Sequence, residues 1–169
     1  MRRYIISLAA VALFGSGFAL AQSDMWVGAS TGYPFGLTVH VGFEDLIGQD
    51  IDLRANVTGT FSSSLGVTAF GAQLGADVLF GFAPIEGAIA LNPYAGGGPL
   101  VIIGGATGGG VSAGVFGFGV TGVAGVEYLF TPEIGAFLEM RVGAGYIGAG
   151  GIGIFAPLYG ASLGVNYHF

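Results

Sequence analysis

The sequence predicts an all-β chain that forms an eight-stranded antiparallel up-and-down transmembrane β-barrel. Apolar residues recur at every second position over most of the chain, which is the pattern of strands with one apolar face. Glycine accounts for 35 of 169 residues and charged residues for only 8%, with a mean hydropathy of +0.78. A water-soluble protein of this size needs more charged residues on its surface, so the composition favours a protein embedded in a membrane.

The amino terminus has the composition of an export signal. A basic start is followed by an apolar core and by small residues at the exit, in segments 2–3, 5–14 and 19–21. An uncleaved membrane helix is the alternative, but the apolar run is short and glycines interrupt its end. We therefore expect a cleaved signal peptide at 1–21 and a single barrel domain at 22–169. That length fits eight strands of about 9 to 11 residues with their turns.

The composition of residues 22–169 excludes several classes of function. Two arginines face ten acidic residues, and no lysine is present. A basic patch for nucleic acid or acidic lipid is therefore not expected. The absence of cysteine means that an exported domain must hold together without disulfides.

A helical membrane protein is the main structural alternative, because no charged residue occurs between Gly87 and Val126. That stretch is long enough for a spanning helix on hydropathy alone. However, it contains repeated glycine clusters and Pro99, and these are the two residue types least compatible with a helix. The sequence therefore favours strands here as well.

The strands can be placed in order from the alternation and the turn residues. The link between strands 4 and 5 is ambiguous, because Pro84 and Glu86 fit a loop whereas 85–91 could extend a strand. An acidic turn is expected at 44–50, a glycine-rich loop at 104–112 and a link at 148–153. The eight predicted strands cover 25–32, 37–43, 51–61, 65–80, 92–103, 115–130, 134–147 and a last segment that ends at Phe169.

Charged residues fall on one face of every predicted strand that carries them. A charge that faces lipid costs about 2 to 4 kcal/mol near the bilayer midplane, so this face is predicted to line the lumen. Buried charges persist when they are paired. We expect Arg54 to pair with Asp77 and Arg141 to pair with Glu127. The predicted lumen network comprises Asp52, Arg54, Asp77, Glu127, Glu139 and Arg141, beneath an open vestibule of small residues.

Aromatic residues cluster at the two ends of the predicted strands, as in the belts of a transmembrane barrel. A soluble β-sandwich with core aromatics is the alternative, but it would not need the export signal as well. One belt is predicted from Trp26, Phe43, Phe80, Tyr128 and Phe130, and the other from Tyr33, Phe61 and Tyr146.

Three segments resemble the small eight-stranded bacterial outer-membrane barrels, the group that contains the OmpA transmembrane domain, OmpX and OmpW. They are 125–132 followed by 137–141, 92–98 and 164–169. The resemblance implies integral location in the cell outer membrane, contact with its lipid, and an internal ionic plug. It also implies that the barrel-assembly machinery reads the closing strand at Val165, Tyr167 and Phe169. Unlike in many relatives, we expect very short extracellular loops and no peptidoglycan-binding domain after the barrel, so that neither loop-borne adhesion nor cell-wall tethering is expected.

The sequence supports a non-enzymatic barrel with a structural role in membrane integrity and a lumen closed by the ionic network. The alternative is a narrow OmpW-like channel for small or apolar solutes. An enzyme is disfavoured because His40 shares a face with Thr38 but has no acid placed to orient it. The acidic turn lacks the spacing of a calcium loop. We therefore expect no catalytic residue, no metal and no cofactor, and we favour a monomer.

Overall fold

The alternating residues form eight strands that close into one barrel in a computed structural model, which describes residues 24–169 except 34, 35, 49, 65 and 88. Each strand pairs antiparallel with the next along the chain, and the eighth closes on the first. This confirms the predicted fold class. The predicted signal peptide at 1–21 lies outside the described residues. The strands are β1 Met25–Tyr33, β2 Gly36–Gly48, β3 Ile51–Ser64, β4 Val67–Gly81, β5 Asn92–Gly108, β6 Val111–Leu129, β7 Ile134–Ala149 and β8 Ile152–His168.

The connections define two different ends of the barrel. The lower end carries the start of β1, the end of β8 and the connections at 49–50, 82–91 and 130–133. The upper end carries the connections at 34–35, 65–66, 109–110 and 150–151. The ambiguous segment near 81–91 forms a lower loop closed by an antiparallel bridge between Ile85 and Leu91. Within the described part of the chain, no helix has the length and apolarity needed to cross a bilayer.

The upper end departs from the predicted boundaries. The expected loop at 104–112 and link at 148–153 are mostly strand, and each contains only a two-residue turn. Gly109 and Gly110 have φ of 57° and 80°, and Gly150 and Gly151 have φ of 58° and 87°. Hairpins with two-residue loops favour positive φ at both central positions, which glycine adopts without steric cost. Consequently β5 to β8 are 16 to 19 residues long, whereas β1 to β4 are 9 to 15.

The predicted acidic turn after the second strand is also shorter than expected. β2 continues through Glu44 to Gly48, and its pairing with β3 is irregular between Phe43 and Gly48. Asp45 and Asp50 have φ of 53° and 63°, a conformation that Asp tolerates better than most residues. The acidic residues therefore lie in an irregular extension of β2 and not in the longer turn that the sequence predicted.

Burial follows the alternation around the wall. On β7, Phe137 and Glu139 are buried, whereas Leu138 and Met140 are exposed on the outer surface. Large inward side chains occupy space left by glycines on neighbouring strands. A Cβ at Gly42 would collide with the Trp26 indole, and one at Gly135 would collide with the carboxylate of Glu127. Small inward residues thus decide which large side chains the lumen can hold.

Candidate functional site

Four charged side chains from three strands meet in the lumen and form the ionic cluster, which consists of Arg54, Asp77, Glu139 and Arg141. Arg54 Nη2 lies 2.9 Å from Asp77 Oδ2, and Arg54 Nη1 lies 2.6 Å from Glu139 Oε2. Arg141 Nη2 lies 2.8 Å from Asp77 Oδ2 and 3.4 Å from Glu139 Oε1. Two cations therefore bridge the same two carboxylates, and their formal charges cancel.

Neutral side chains complete the hydrogen bonding of this cluster. Asn56 Nδ2 donates to Asp77 Oδ2 at 2.9 Å, and the Tyr94 hydroxyl donates to Glu139 Oε2 at 3.1 Å. Arg141 Nη1 also donates to Thr121 Oγ1 at 2.9 Å. Among the described residues, no buried side-chain nitrogen or oxygen lacks a hydrogen-bond partner. Such full satisfaction offsets the cost of holding charges away from water.

The observed pairing agrees with one expectation and corrects another. Arg54 and Asp77 face each other across β3 and β4, as expected. The expected pair of Arg141 with Glu127 is wrong. Val123 stands opposite Arg141 in the register, and Glu127 lies four residues further down β6, about 13 Å along the strand. Arg141 instead reaches across the lumen to Asp77, because the interior of an eight-stranded barrel is only wide enough for side chains to meet.

A second set of hydrogen-bonded polar side chains lies below the ionic cluster and connects β2, β6 and β8. Asn166 Nδ2 donates to Glu127 Oε1 at 2.7 Å, and Asn166 Oδ1 lies 2.8 Å from His40 Nε2. His168 lies between Glu127 and Glu44, with N···O distances of 3.2 Å and 2.9 Å. Sequence reasoning placed Glu127 in the main cluster and gave Asn166 no role. The inward position of Asn166 on the closing strand was the available signal.

Asp52 lies at the lower end of β3 and is not among the four residues of the ionic cluster. Its Oδ1 accepts a hydrogen bond from the backbone N–H of Asp45 at 3.2 Å. Asp52 faces inward two residues below Arg54, which is why alternation alone grouped the two. The contact to Asp45 depends on the irregular end of β2.

An apolar plug accompanies the polar groups and corrects the position of Trp26. Trp26 was expected in the lower aromatic belt, but its side chain is 5% exposed and packs with Leu79, Val123 and Tyr94. Its ring lies 5.1 Å from the imidazole of His40, edge to face. The expectation was wrong because the register of β1 turns Val27 outward and Trp26 inward. Gly42, opposite Trp26 on β2, provides the space.

The other predicted belt residues lie on the outward face of the wall by alternation. Tyr128 and Phe130 pack edge to face at the lower end, with ring centroids 4.9 Å apart. At the upper end, Tyr33 stacks on Tyr159 with ring centroids 6.0 Å apart. Of the remaining members, Phe43 and Phe80 lie at the lower end and Phe61 and Tyr146 at the upper end.

The closing strand presents its predicted assembly residues to the outside. Val165, Tyr167 and Phe169 are all exposed, and the two aromatic rings pack edge to face with centroids 5.0 Å apart. The backbone N–H of Phe169 donates to the carbonyl of Met25 at 2.9 Å, so the last residue is tied to β1.

A cavity of about 340 Å³ lies above the ionic cluster. Arg54, Glu139 and Arg141 contribute to its floor. Hydroxyl and amide side chains line the wall formed by β1 to β4, whereas β5 and β8 contribute Leu100, Ile102 and Leu158. The cavity is at the small end of the range for small-molecule sites. Within the ranges that the structure describes, no group of three or more His, Asp or Glu side chains could hold a metal ion.

Comparison with known proteins identifies the fold. No protein-family model matches the chain, and no curated protein sequence matches it significantly. Solved structures do match. The N-terminal β-barrel domain of Pseudomonas aeruginosa OprF is 15% identical with a TM-score of 0.64, and the match covers 87% of this chain and 96% of that one. A major outer membrane protein from Thermus thermophilus is 16% identical with a TM-score of 0.60, covering 88% and 100%.

Neisserial surface protein A gives a third match, with 17% identity, a TM-score of 0.54 and coverage of 87% of this chain and 94% of that one. All three are small barrels, and at this level of identity the similarity concerns the fold. The chain therefore has the fold of the small outer-membrane β-barrels, with eight antiparallel strands in a closed ring.

Proposed function

We propose that this chain is an integral outer-membrane barrel with a non-enzymatic, structural role in membrane integrity and a lumen closed by the ionic cluster. The fold and the apolar outer surface support the location. The proposal includes export by a signal at 1–21, and recognition of Val165, Tyr167 and Phe169 by the barrel-assembly machinery. Outer-membrane lipid is then the main partner, and the barrel acts as a monomer.

The ionic cluster is the main observation that supports a closed lumen. Its four charged side chains bridge β3, β4 and β7 at N···O distances of 2.6 to 3.4 Å, and the Asp77 carboxylate is completely buried. Trp26, Leu79 and Val123 pack into an apolar plug, and Tyr94, which donates to Glu139 of the cluster, packs against this plug. A hydrated ion would have to separate paired charges and then cross this apolar layer, so both layers oppose conduction.

The contacts of His40 support a non-enzymatic role. Nε2 of His40 faces the amide oxygen of Asn166, and its ring packs between Trp26 and Phe137. The nearby Thr38 hydroxyl lies 2.7 Å from that of Thr58. Neither contact gives His40 the base-orienting carboxylate that nucleophilic catalysis requires.

Single-channel recording in planar bilayers tests the closed lumen. We expect no steady conductance from the purified wild-type barrel and none from Arg141→Ala, because the apolar plug remains. The double variant Arg141→Ala with Trp26→Ala removes parts of both layers and should conduct. Steady openings of the wild-type protein would contradict the proposal, as would a double variant that folds but conducts no better than wild type.

Membrane fractionation and gel migration test the location and the barrel itself. The protein should fractionate with the outer membrane and should migrate differently before and after boiling, because a closed barrel resists unfolding in detergent. Recovery with the inner membrane would contradict the proposed location. A band that does not shift on boiling would count against a closed barrel.

The cavity above the cluster favours one alternative, a narrow channel for small or apolar solutes. It reaches from the upper end down to Arg54 and Arg141, so that the ionic cluster and the apolar plug lie between it and the lower end. For this function, Arg54→Ala or Arg141→Ala alone should raise a steady, selective conductance. The same bilayer recordings therefore decide between the two functions.

A further inference from the structure

The cavity above the ionic cluster has two chemically different sides. Its apolar side consists of Leu100 and Ile102 from β5 and Leu158 from β8. A Cβ at Gly119 or Gly145 would lie 3.0 Å from Leu158 Cδ1, so this leucine covers the glycines of β6 and β7. The polar side is formed by inward side chains of β1 to β4, namely Ser30, Thr38, Asn56, Thr58, Thr60 and Gln73.

The polar side has hydrogen-bonding capacity that the barrel itself leaves unused. The side chains of Gln73 and Ser162 line the cavity and are half-buried, and among the described residues neither of them has a hydrogen-bond partner. The hydroxyl groups of Thr38 and Thr58 lie 2.7 Å apart, and this pair still has lone pairs and one proton to share. Gln73 stands opposite Ile102 in the register, so the unused amide directly adjoins the apolar side. The cavity can therefore donate and accept hydrogen bonds next to an apolar surface.

The charges around the cavity favour an uncharged ligand. Arg54, Glu139 and Arg141 at the floor are paired within the ionic cluster, whose formal charges cancel. No other charged side chain among the described residues lines the cavity. A charged ligand would thus lose its hydration without gaining a free counter-charge. An entirely apolar ligand would leave the amide and hydroxyl groups without partners, which is also unfavourable.

We propose that this cavity binds an uncharged ring that carries several hydroxyl groups, such as a single sugar ring. The hydroxyl groups bond to Gln73, Ser162 and the threonine pair, and a C–H face of the ring packs on Leu158 and Ile102. A volume of about 340 Å³ holds on the order of ten water molecules, which is enough space for one such ring. The proposal goes beyond the structural role and does not require the ligand to cross the closed lumen.

An NMR titration of the full chain tests the proposal, in micelles of a phosphocholine detergent so that no sugar headgroup competes. The probe is methyl α-D-glucopyranoside, whose ring hydroxyl groups are equatorial and leave two C–H faces. We expect saturable shifts of the Gln73 side-chain amide, and nuclear Overhauser effects from ring protons to the methyl groups of Leu158 and Ile102. No shifts, or shifts confined to residues on the outer surface, would overturn the proposal.

Two analogues of the probe test the chemical class of the ligand. Cyclohexanol keeps a ring of similar size but has a single hydroxyl group, and the methyl glycoside of glucuronic acid adds a carboxylate. Each should bind at least about tenfold more weakly than the glucoside, because it leaves cavity groups unpaired or buries an unpaired charge. If cyclohexanol bound as tightly, the cavity would be a plain apolar site. If the glucuronide did, the floor would attract anions, and either result would refute the assignment.

A free sugar and the terminal ring of a glycan chain offer the same chemistry, and maltotriose distinguishes them. Maltotriose that binds as tightly as the glucoside identifies the end of a chain as the ligand. Glucoside binding without maltotriose binding identifies a free sugar. Both results support the proposed site, because the glucoside binds in each case.

A matched pair of variants tests the role of the amide. Gln73→Leu removes the amide at similar size and should weaken glucoside binding at least about tenfold. The control Leu74→Ala changes the next residue, which is exposed on the outer surface, and should leave the affinity unchanged. Unchanged affinity in Gln73→Leu would contradict the assigned contact. If Gln73→Leu does not fold, the comparison of the glucoside with cyclohexanol on the wild-type chain decides alone.

Discussion

The lower and upper halves of this barrel share the same alternation of residues but differ in charge, in the filling of the lumen and in strand pairing. Every charged side chain among the described residues lies in the ionic cluster or below it, at positions 24 to 54, 77, 86, 127, 133, 139 and 141. The lower lumen is filled, and its strands are paired around the ring. The upper half has a cavity and no charged side chain among the described residues, and β1 ends there at a lower level than β8. We infer that the lower half supplies stability, whereas the upper half is available for contacts.

The difference also appears in the consequences expected for single substitutions. A residue in the lower half contacts several others across the lumen, so its loss leaves charges or apolar groups without partners. A side chain in the upper half faces the cavity or the outer surface and takes no part in the ionic cluster or the apolar plug. Substitutions of similar size should therefore cost much more below the cavity than beside it. Unfolding free energies from urea titration in detergent micelles measure this contrast.

The largest effect is expected from Asp77→Ala, which leaves Arg54 and Arg141 without their shared carboxylate. Removing one partner from buried ion pairs costs about 3 to 5 kcal/mol, so the free energy of unfolding should fall by about that amount. Gln73→Ala, four residues higher on the inward face of β4, should cost less than about 1 kcal/mol. Similar losses in the two variants would remove the contrast between the halves.

A smaller loss is expected from Gly42→Ala in the lower half. The added methyl group would collide with the Trp26 indole, and overpacking of this kind costs about 1 to 3 kcal/mol. Gly59→Ala on β3 is the control, because nothing lies within 4 Å of its added Cβ. In a Trp26→Leu background, Gly42→Ala should become nearly neutral. Persistence of the full loss there would show that the indole is not its cause.

Substitutions in the upper turns should lower the free energy of unfolding through backbone conformation rather than through packing. Gly110 has a φ of 80°, and a side chain there costs about 1 to 2 kcal/mol because its Cβ approaches the following carbonyl oxygen. Gly110→Ala should therefore destabilise the barrel by that amount. Gly114→Ala, where the added Cβ also meets open space but φ is not positive, should be close to neutral. Equal effects in the two variants would contradict the assigned turn geometry.

The smallest effect should come from the hydroxyl pair beside the cavity. Thr58→Val removes one side-chain hydrogen bond, with an O···O distance of 2.7 Å to Thr38. Water in the cavity can replace the lost partner, so we expect a loss of about 1 kcal/mol or less. Adding Thr38→Val should cost little more, since the hydrogen bond is already absent. If Thr58→Val lowered the free energy of unfolding as much as Asp77→Ala, the upper half would be as sensitive to substitution as the lower half.

The sequence alone determined the class of fold and the direction of most side chains. Alternation on the seventh strand was sufficient to place Glu139 and Arg141 inside and Leu138 and Met140 outside, because a strand has only two faces. The same logic placed Asp77 opposite Arg54, since those strands are neighbours joined by a short turn. Alternation failed at Trp26 because assignment to an aromatic belt was given more weight than the parity of β1.

Only the tertiary structure decided which charges meet across the lumen and how far each strand extends. Arg141 reaches Asp77 across the lumen, and that contact depends on the tilt and stagger of the closed ring rather than on sequence distance. The glycine runs near 104–112 fit either a loop or a strand, because glycine restricts the backbone so little. Pairing between β5 and β6 resolved them into strand, and pairing between β7 and β8 extends β8 above the end of β1.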